Sequence, residues 1–134
     1  MAIQSKQGDG SYIWNLPNKP DTVIPWIDVE RDTGAFVKAL IDAPAPTHVL
    51  AASEWLSLKE YAKLVSDHLG VKLEYQEQAF EDAIKDDPTS IKLEMAETFR
   101  YVEEYGFTGG DPEVVTADEV SPRSLRSGSL LIAD

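Results

Sequence analysis

The chain has 134 residues, 43% of them hydrophobic, and a formal net charge of −12. That length suffices for one domain with a real core. The charge speaks against a nucleic-acid or anionic-membrane partner, and the absence of cysteine excludes disulfides, thiol nucleophiles and Cys-ligated zinc.

Residues 1–10 read as a flexible or edge segment, with Gly8 and Gly10 as loop formers. They are polar and lack a signal-peptide core, which by default favours a cytoplasmic protein. No apolar run approaches the roughly 20 residues of a membrane span. Ser11–Leu16 has strand spacing, with Tyr12, Trp14 and Leu16 on one side and Ile13 on the other. Pro17-Asn18-Lys19-Pro20-Asp21 is a turn.

The stretch Ile24–Val37 then joins a short apolar run, Ile24–Ile27, to an amphipathic helix reaching about Asp42. Asp28 is a good N-cap, because its carboxylate accepts a free N–H of the first turn. Val29, Thr33, Phe36, Val37, Leu40 and Ile41 share one face and are the expected core side. Asp28, Arg31 and Asp32 lie three and four residues apart and can touch. Gly34 sits inside this helix at a cost of roughly 1 kcal/mol relative to Ala. That cost suggests close approach by another backbone or a ligand. Ala43-Pro44-Ala45-Pro46 stops the helix.

Thr47–Ala52 is expected to be a short buried strand, followed by a loop carrying Trp55. Ser57-Leu58-Lys59-Glu60 is a capping box. The helix it opens places Leu58, Tyr61, Ala62, Val65 and Leu69 on one face, and Gly70 closes it. Val71–Glu77 alternates as a half-buried strand, and Phe80–Lys85 reads as a short helix. Asp87-Pro88 suits a helix start. That helix runs to about Tyr105, with Ile91, Met95, Phe99 and Val102 facing the core and Gly106 as its cap. Glu113–Asp134 has no strong period, although Leu130–Ile132 has the composition of an edge strand. The expected class is α+β, derived from α/β, with three to four short strands and three to four helices.

Several separated motifs carry a resemblance. Tyr12-Ile13-Trp14-Asn15-Leu16-Pro17, the Arg31-Asp32-Thr33-Gly34 run, Leu56-Ser57-Leu58, His68-Leu69-Gly70-Val71 and the Met95…Tyr105-Gly106-Phe107 helix end occur in the order found in the NmrA-like family of atypical short-chain dehydrogenases. The chain resembles the family's C-terminal, substrate-side half over about residues 10–115. The resemblance implies a truncated NmrA-like domain with residues 1–10 as a flexible N-terminus, 11–112 as the domain and 113–134 as an irregular tail. It also implies a missing nucleotide-binding half. Gly8-Asp9-Gly10 and Gly109-Gly110 do not fit a glycine-rich NAD(P) loop. None of the five tyrosines begins a Tyr-x-x-x-Lys pair. No cofactor is therefore expected. A half-fold leaves apolar faces and sheet edges uncovered, and a homodimer is the expected remedy.

Asp28 and Asp32, with Arg31 beside them, are the candidate acid–base pair, since neighbouring carboxylates in a cleft can divide the acid and base roles. The plainer alternative is a helix cap with a surface ion pair. Tyr12, Trp14 and Trp26 form an aromatic group suited to a flat or terpenoid-like ligand, or to core packing. Tyr101 and Tyr105, four residues apart, either reach a pocket or cover the core. His48 and His68 lack the spaced partners of a zinc site. Two functions follow. The first is a cofactor-independent cyclase, isomerase or dehydratase acting on a polyketide- or terpenoid-like secondary metabolite. The second is a regulatory or protein-binding module, since the resembled family includes redox sensors, with the helix ending at Tyr105 as a docking face.

Overall fold

The computed structural model describes residues 4–45, 47–85, 91–116 and 119. Among them the chain runs β1 (Gln4–Lys6), β2 (Tyr12–Leu16), β3 (Val23–Trp26), α1 (Val29–Asp42), β4 (His48–Leu50), β5 (Glu54–Ser57), α2 (Leu58–Leu69), β6 (Leu73–Glu77), α3 (Phe80–Ile84), α4 (Ile91–Tyr105) and β7 (Val114–Thr116). The mixed α and β class is the expected one. The Asp87-Pro88 helix start and the Leu130–Ile132 strand lie outside the described residues.

Two compact units organise these elements. The first takes the chain up to Ile24 and from Leu56 to Gly109; the second takes Pro25 to Trp55 and continues from Gly110. β3 and β5 pair as a two-stranded ladder, and two of the three passages from unit to unit fall within these strands, the third lying between Gly109 and Gly110.

The first unit is built on the sheet β1-β2-β6. Gly10, at φ 86°, closes the turn that sends β1 back along β2, with Gln4 opposite Trp14 and Lys6 opposite Tyr12. β6 joins the other edge of β2 in parallel, so Tyr12 meets Leu73, Trp14 meets Tyr75 and Leu16 meets Glu77. Trp14, Leu16, Leu58, Ala62, Leu73, Ala96 and Val102 are its buried apolar side chains. α2 begins where the sequence puts it. The Ser57 hydroxyl accepts from the Glu60 amide, and the Glu60 carboxylate accepts from the Ser57 amide at 2.8 Å. The Leu58 and Lys59 amides donate to the carbonyls of Thr22 and Pro20, both at 3.1 Å. Gly70, at φ 63°, ends the helix in the left-handed conformation that a residue without Cβ adopts freely. Leu69 and Ile91, expected on core faces, are exposed.

The second unit holds α1 and the parallel pair β4–β7, in which His48 meets Val114 and Leu50 meets Thr116. Four expectations change here. The buried residues of α1 are Phe36 and Ala39, so the covered arc is rotated away from Val37, Leu40 and Ile41, which are exposed together with Val29. Gly34 is open: among the described residues nothing stands within 4 Å of where a Cβ would be, so close approach by them does not explain it. Trp55 lies in strand β5 rather than a loop, and Val114–Thr116 is a strand that the aperiodic sequence there does not announce.

Candidate functional site

Asp28, Arg31 and Asp32 come together at the start of α1. Asp28 Oδ1 accepts from the amides of Glu30 at 3.1 Å and Arg31 at 3.2 Å, while Arg31 Nε lies 3.7 Å from Asp28 Oδ2. Asp32 answers in the other direction: its Oδ2 accepts from the Asp28 amide at 3.3 Å and from the Ser53 hydroxyl. The Ser53 amide donates to the Trp26 carbonyl at 2.8 Å, which fixes the loop carrying that hydroxyl. The pair is thus a reciprocal cap, each carboxylate satisfying amides that a helix start leaves without intrahelical partners. Proton transfer by these groups would have to compete with those bonds.

The aromatic residues divide between the units. Tyr12, Trp14, Tyr101 and Tyr105 belong to the first, and Trp26 to the second with the carboxylates. Trp14 is buried and meets Tyr75 edge-on at 5.3 Å and Tyr61 at 5.7 Å. Its parallel register with Tyr75 dictates the first contact, and α2 supplies the second. Tyr12 and Trp26 are half-buried. Tyr101 and Tyr105 lie outside the core as a tilted pair with centroids 5.1 Å apart.

Sequence reasoning did not single out the polar group around Asn18. Asn18 is 1% exposed. Its amide donates to the Phe99 carbonyl at 2.7 Å and to Glu103 Oε2 at 3.4 Å. Its own carbonyl accepts the Tyr75 hydroxyl at 2.8 Å. Glu103 also accepts from the Lys19 amide at 3.1 Å and pairs with Lys19 Nζ at 2.8 Å. The hydrogen bond from Lys19 is the main reason that the Glu103 carboxyl sits below the usual glutamate range, and the same pairing raises Lys19. Burial raises the Tyr75 phenol well above its ordinary value. Trp14 Nε1, Asn15 Oδ1 and Asn18 Oδ1 are buried polar atoms with no hydrogen-bond partner among the described residues. Unspent buried polar atoms are uncommon and call for an explanation. An asparagine between two prolines advertises a turn, and no local signal marks its burial against a helix 81 residues away.

The same geometry bears on anion and metal binding. Gly8 and Gly10 belong to a strand-to-strand turn, closed by the Gly10 amide on the Gln7 carbonyl at 3.0 Å, and not to a strand-to-helix phosphate loop. The first-turn amides of α1 and α2 are already bonded to Asp28, Ser57, Thr22 and Pro20. These residues do not fit a dinucleotide pyrophosphate. Among the described residues no group of three or more His, Cys, Asp or Glu could hold a metal ion. No described helix is long and apolar enough to cross a membrane.

A mixed α and β fold with parallel pairing and a buried aromatic–amide cluster is therefore what the chain presents. Residues 1–126 match the model of the NmrA-like family, and the chain belongs to that family. No curated protein matches it. Among solved structures, it is similar to NmrA, a negative transcriptional regulator, in complex with NADP and also with NAD. In both, the identity is 20%, the TM-score is 0.54, and the match covers 77% of this chain and 32% of that one. A monoclinic form of the same regulator matches with 19% identity and a TM-score of 0.54, over 89% of this chain and 37% of that one. The chain thus spans about a third of the length of these structures, and the likeness is one of fold.

Proposed function

We propose that this chain is a small-molecule-binding module of the NmrA-like family that acts by binding, and not by acid–base catalysis. The observation supporting this is a contrast. The Asp28 and Asp32 carboxylates are engaged in starting α1, whereas Trp14 Nε1 and Asn18 Oδ1, a donor and an acceptor on two residues that both contact Tyr75, have no partner among the described residues. A flat ligand carrying one carbonyl and one hydroxyl would suit Trp14, Tyr75 and Asn18. The NmrA regulators were solved with NADP and NAD, but the glycines and helix starts described above do not favour a dinucleotide on this chain alone.

The catalytic reading, a cyclase, isomerase or dehydratase using Asp28 or Asp32 with Tyr12, Trp26 and Arg31 around the substrate, has one point in its favour: the Ser53 hydroxyl sits on the Asp32 carboxylate. One experiment separates the two. A panel of polyketide- and terpenoid-like compounds is screened by thermal shift, and each hit is incubated and analysed by mass spectrometry. We expect binding without turnover, weakened about tenfold by Trp14→Phe, which keeps a ring but removes the N–H donor. A product formed by the wild type and abolished in Asp32→Asn would establish the catalytic reading instead.

We also propose a homodimer. The apolar arc of α1 is wider than the arc it buries, leaving Val37, Leu40 and Ile41 in solvent, and a two-fold pairing of identical faces covers such a strip.

A further inference from the structure

The buried side chain of Asn18 can face only one way. Its Nδ2 donates to the Phe99 carbonyl at 2.7 Å and to Glu103 Oε2 at 3.4 Å. A main-chain carbonyl only accepts. The Glu103 carboxyl, held below the usual glutamate range chiefly by its bond from Lys19, is ionised at neutral pH and also only accepts. Turning the amide over would set Oδ1 against both oxygens, so the neighbours decide which end carries the nitrogen. Oδ1 is left on the other side as an obligatory acceptor, in a residue 1% exposed and with no partner among the described residues. The Tyr75 phenol does not serve it, because that hydroxyl donates to the Asn18 main-chain carbonyl at 2.8 Å. Trp14 is the converse case. Its Nε1, in a residue 6% exposed, is a donor without an acceptor among the described residues, and its ring meets the Tyr75 ring edge-on at 5.3 Å. Asn15 Oδ1 also has no partner among the described residues, but Asn15 follows Trp14 in β2, and successive side chains of a strand point to opposite faces.

We propose that Asn18, held in this orientation by Phe99 and Glu103, restricts the ligand of the cluster to neutral compounds with a free hydroxyl or N–H for Asn18 Oδ1 and a carbonyl-type acceptor for Trp14 Nε1. The O-alkylated and carboxylate forms of the same compounds are excluded. This selectivity rests on the small-molecule reading above and adds to it a rule for the ligand. An ether oxygen set against Oδ1 brings two acceptors together with no proton between them, and the buried acceptor then goes unsatisfied. A pocket of apolar contacts alone distinguishes such analogues weakly, whereas a site built to bond the hydroxyl rejects the analogue that lacks it. A carboxylate fails twice: it has no proton to give, and it adds a second negative charge near the ionised Glu103. Asn18 is therefore the selecting residue, and the direction of its amide is the selecting feature.

The test uses the full chain and matched probes: a hydroxycoumarin, a hydroxyflavone and a hydroxyanthraquinone. Each is compared with its methyl ether and with the acid that carries a carboxyl in place of the hydroxyl. Binding is read by thermal shift and calorimetric titration in mildly acidic buffer, where the phenols keep their protons. We expect at least one hydroxyl compound to bind, about tenfold tighter than its ether, and its acid not to bind. The Trp14 indole N–H signal in proton–nitrogen NMR spectra, identified by its loss in Trp14→Phe, should move when the hydroxyl compound binds. Asn18→Ala should bring the hydroxyl compound and its ether to equal affinity. If that variant does not fold, the comparison on the wild type still decides. An ether that binds as tightly as its hydroxyl partner, and moves the Trp14 signal, would overturn the selectivity while leaving the small-molecule reading standing. A preference that leaves the Trp14 signal in place would put the ligand elsewhere and overturn it as well. If no compound binds and the Trp14 signal never moves, the small-molecule reading fails and this inference falls with it.

Discussion

The Tyr75 hydroxyl donates to the main-chain carbonyl of Asn18 at 2.8 Å, joining β6 to the turn that follows β2. The bond explains why a turn residue is buried. Asn18 is fixed through its carbonyl by the sheet and through its side-chain amide by the Phe99 carbonyl of α4. The Pro17–Asp21 turn is thereby tied to two layers of the first unit, and Pro20 within it and Thr22 just after it supply the carbonyls that receive the first amides of α2. One phenol thus supports both a strand end and a helix start.

That phenol makes stability sensitive to alkali. Burial raises its pKa above the ordinary 10.0, so the folded chain keeps the proton where the unfolded chain loses it. The contribution is complete below about pH 10 and falls as pH rises beyond it, because the unfolded state then binds fewer protons. Tyr75→Phe should cost about 1 kcal/mol at neutral pH through the lost hydrogen bond, and should lessen the decline above pH 10. Urea midpoints of both proteins across that range would show it. Parallel curves would mean that Tyr75 titrates normally.

Acid acts through Glu103. Its carboxyl is lowered by the Lys19 hydrogen bonds, so its contribution is present above the unfolded value of about 4.5 and is lost as pH falls through the lower folded value. Glu103→Gln should be less stable than the wild type at pH 7 and should lose less on acidification. A wild type as stable at pH 3 as at pH 7 would contradict this.

The sequence made legible whatever is decided within one turn of chain. Ser57 with Glu60, Asp28 before α1, and Gly70 and Gly106 after their helices all act over at most four residues, and each is in place. It did not reveal partners chosen at a distance. His48–Leu50 pairs with Val114–Thr116 across more than sixty residues, and so short a run as Val114–Thr116 has no period to read. The burial of Asn18 depends in the same way on Phe99 and Glu103. The sequence marks the apolar face of α1, but which part of it is covered depends on neighbours, and those cover Phe36 and Ala39 and leave Ile41 exposed.

The reciprocal cap of α1 can be weighed by removing it. Asp28→Ala leaves the amides of Glu30 and Arg31 without their acceptor and should cost about 1 kcal/mol, whereas Asp28→Asn, itself a good N-cap, should cost less. Thermal melts rank the two. If both variants melt as the wild type does, the carboxylate is not what starts the helix, and its role in the catalytic reading regains weight.

The exposed strip of α1 predicts its own remedy. If two copies meet there, Ile41→Lys should shift the protein from dimer to monomer in sedimentation at micromolar concentration, because Ile41 is 77% exposed in the single chain and has little folding role to lose. A wild type that sediments as a monomer ends the dimer proposal.

Gly34 provides a test of opposite sign. The glycine lies mid-helix and exposed, and no described residue stands within 4 Å of where a Cβ would be. Helix propensity then acts alone: Gly34→Ala removes backbone freedom from the unfolded chain without adding a clash and should stabilise the protein by roughly 0.5–1 kcal/mol. The change is read as a higher urea midpoint with an unchanged slope. A destabilised Gly34→Ala would mean that something does approach this face of α1 in the protein as it functions, and a second copy of the chain docked on α1 would be the first candidate. Combining Gly34→Ala with Ile41→Lys then decides the matter. If the cost of the alanine disappears once the strip is charged, the approaching group is the partner copy; if it persists in the monomer, the approach comes from within the chain.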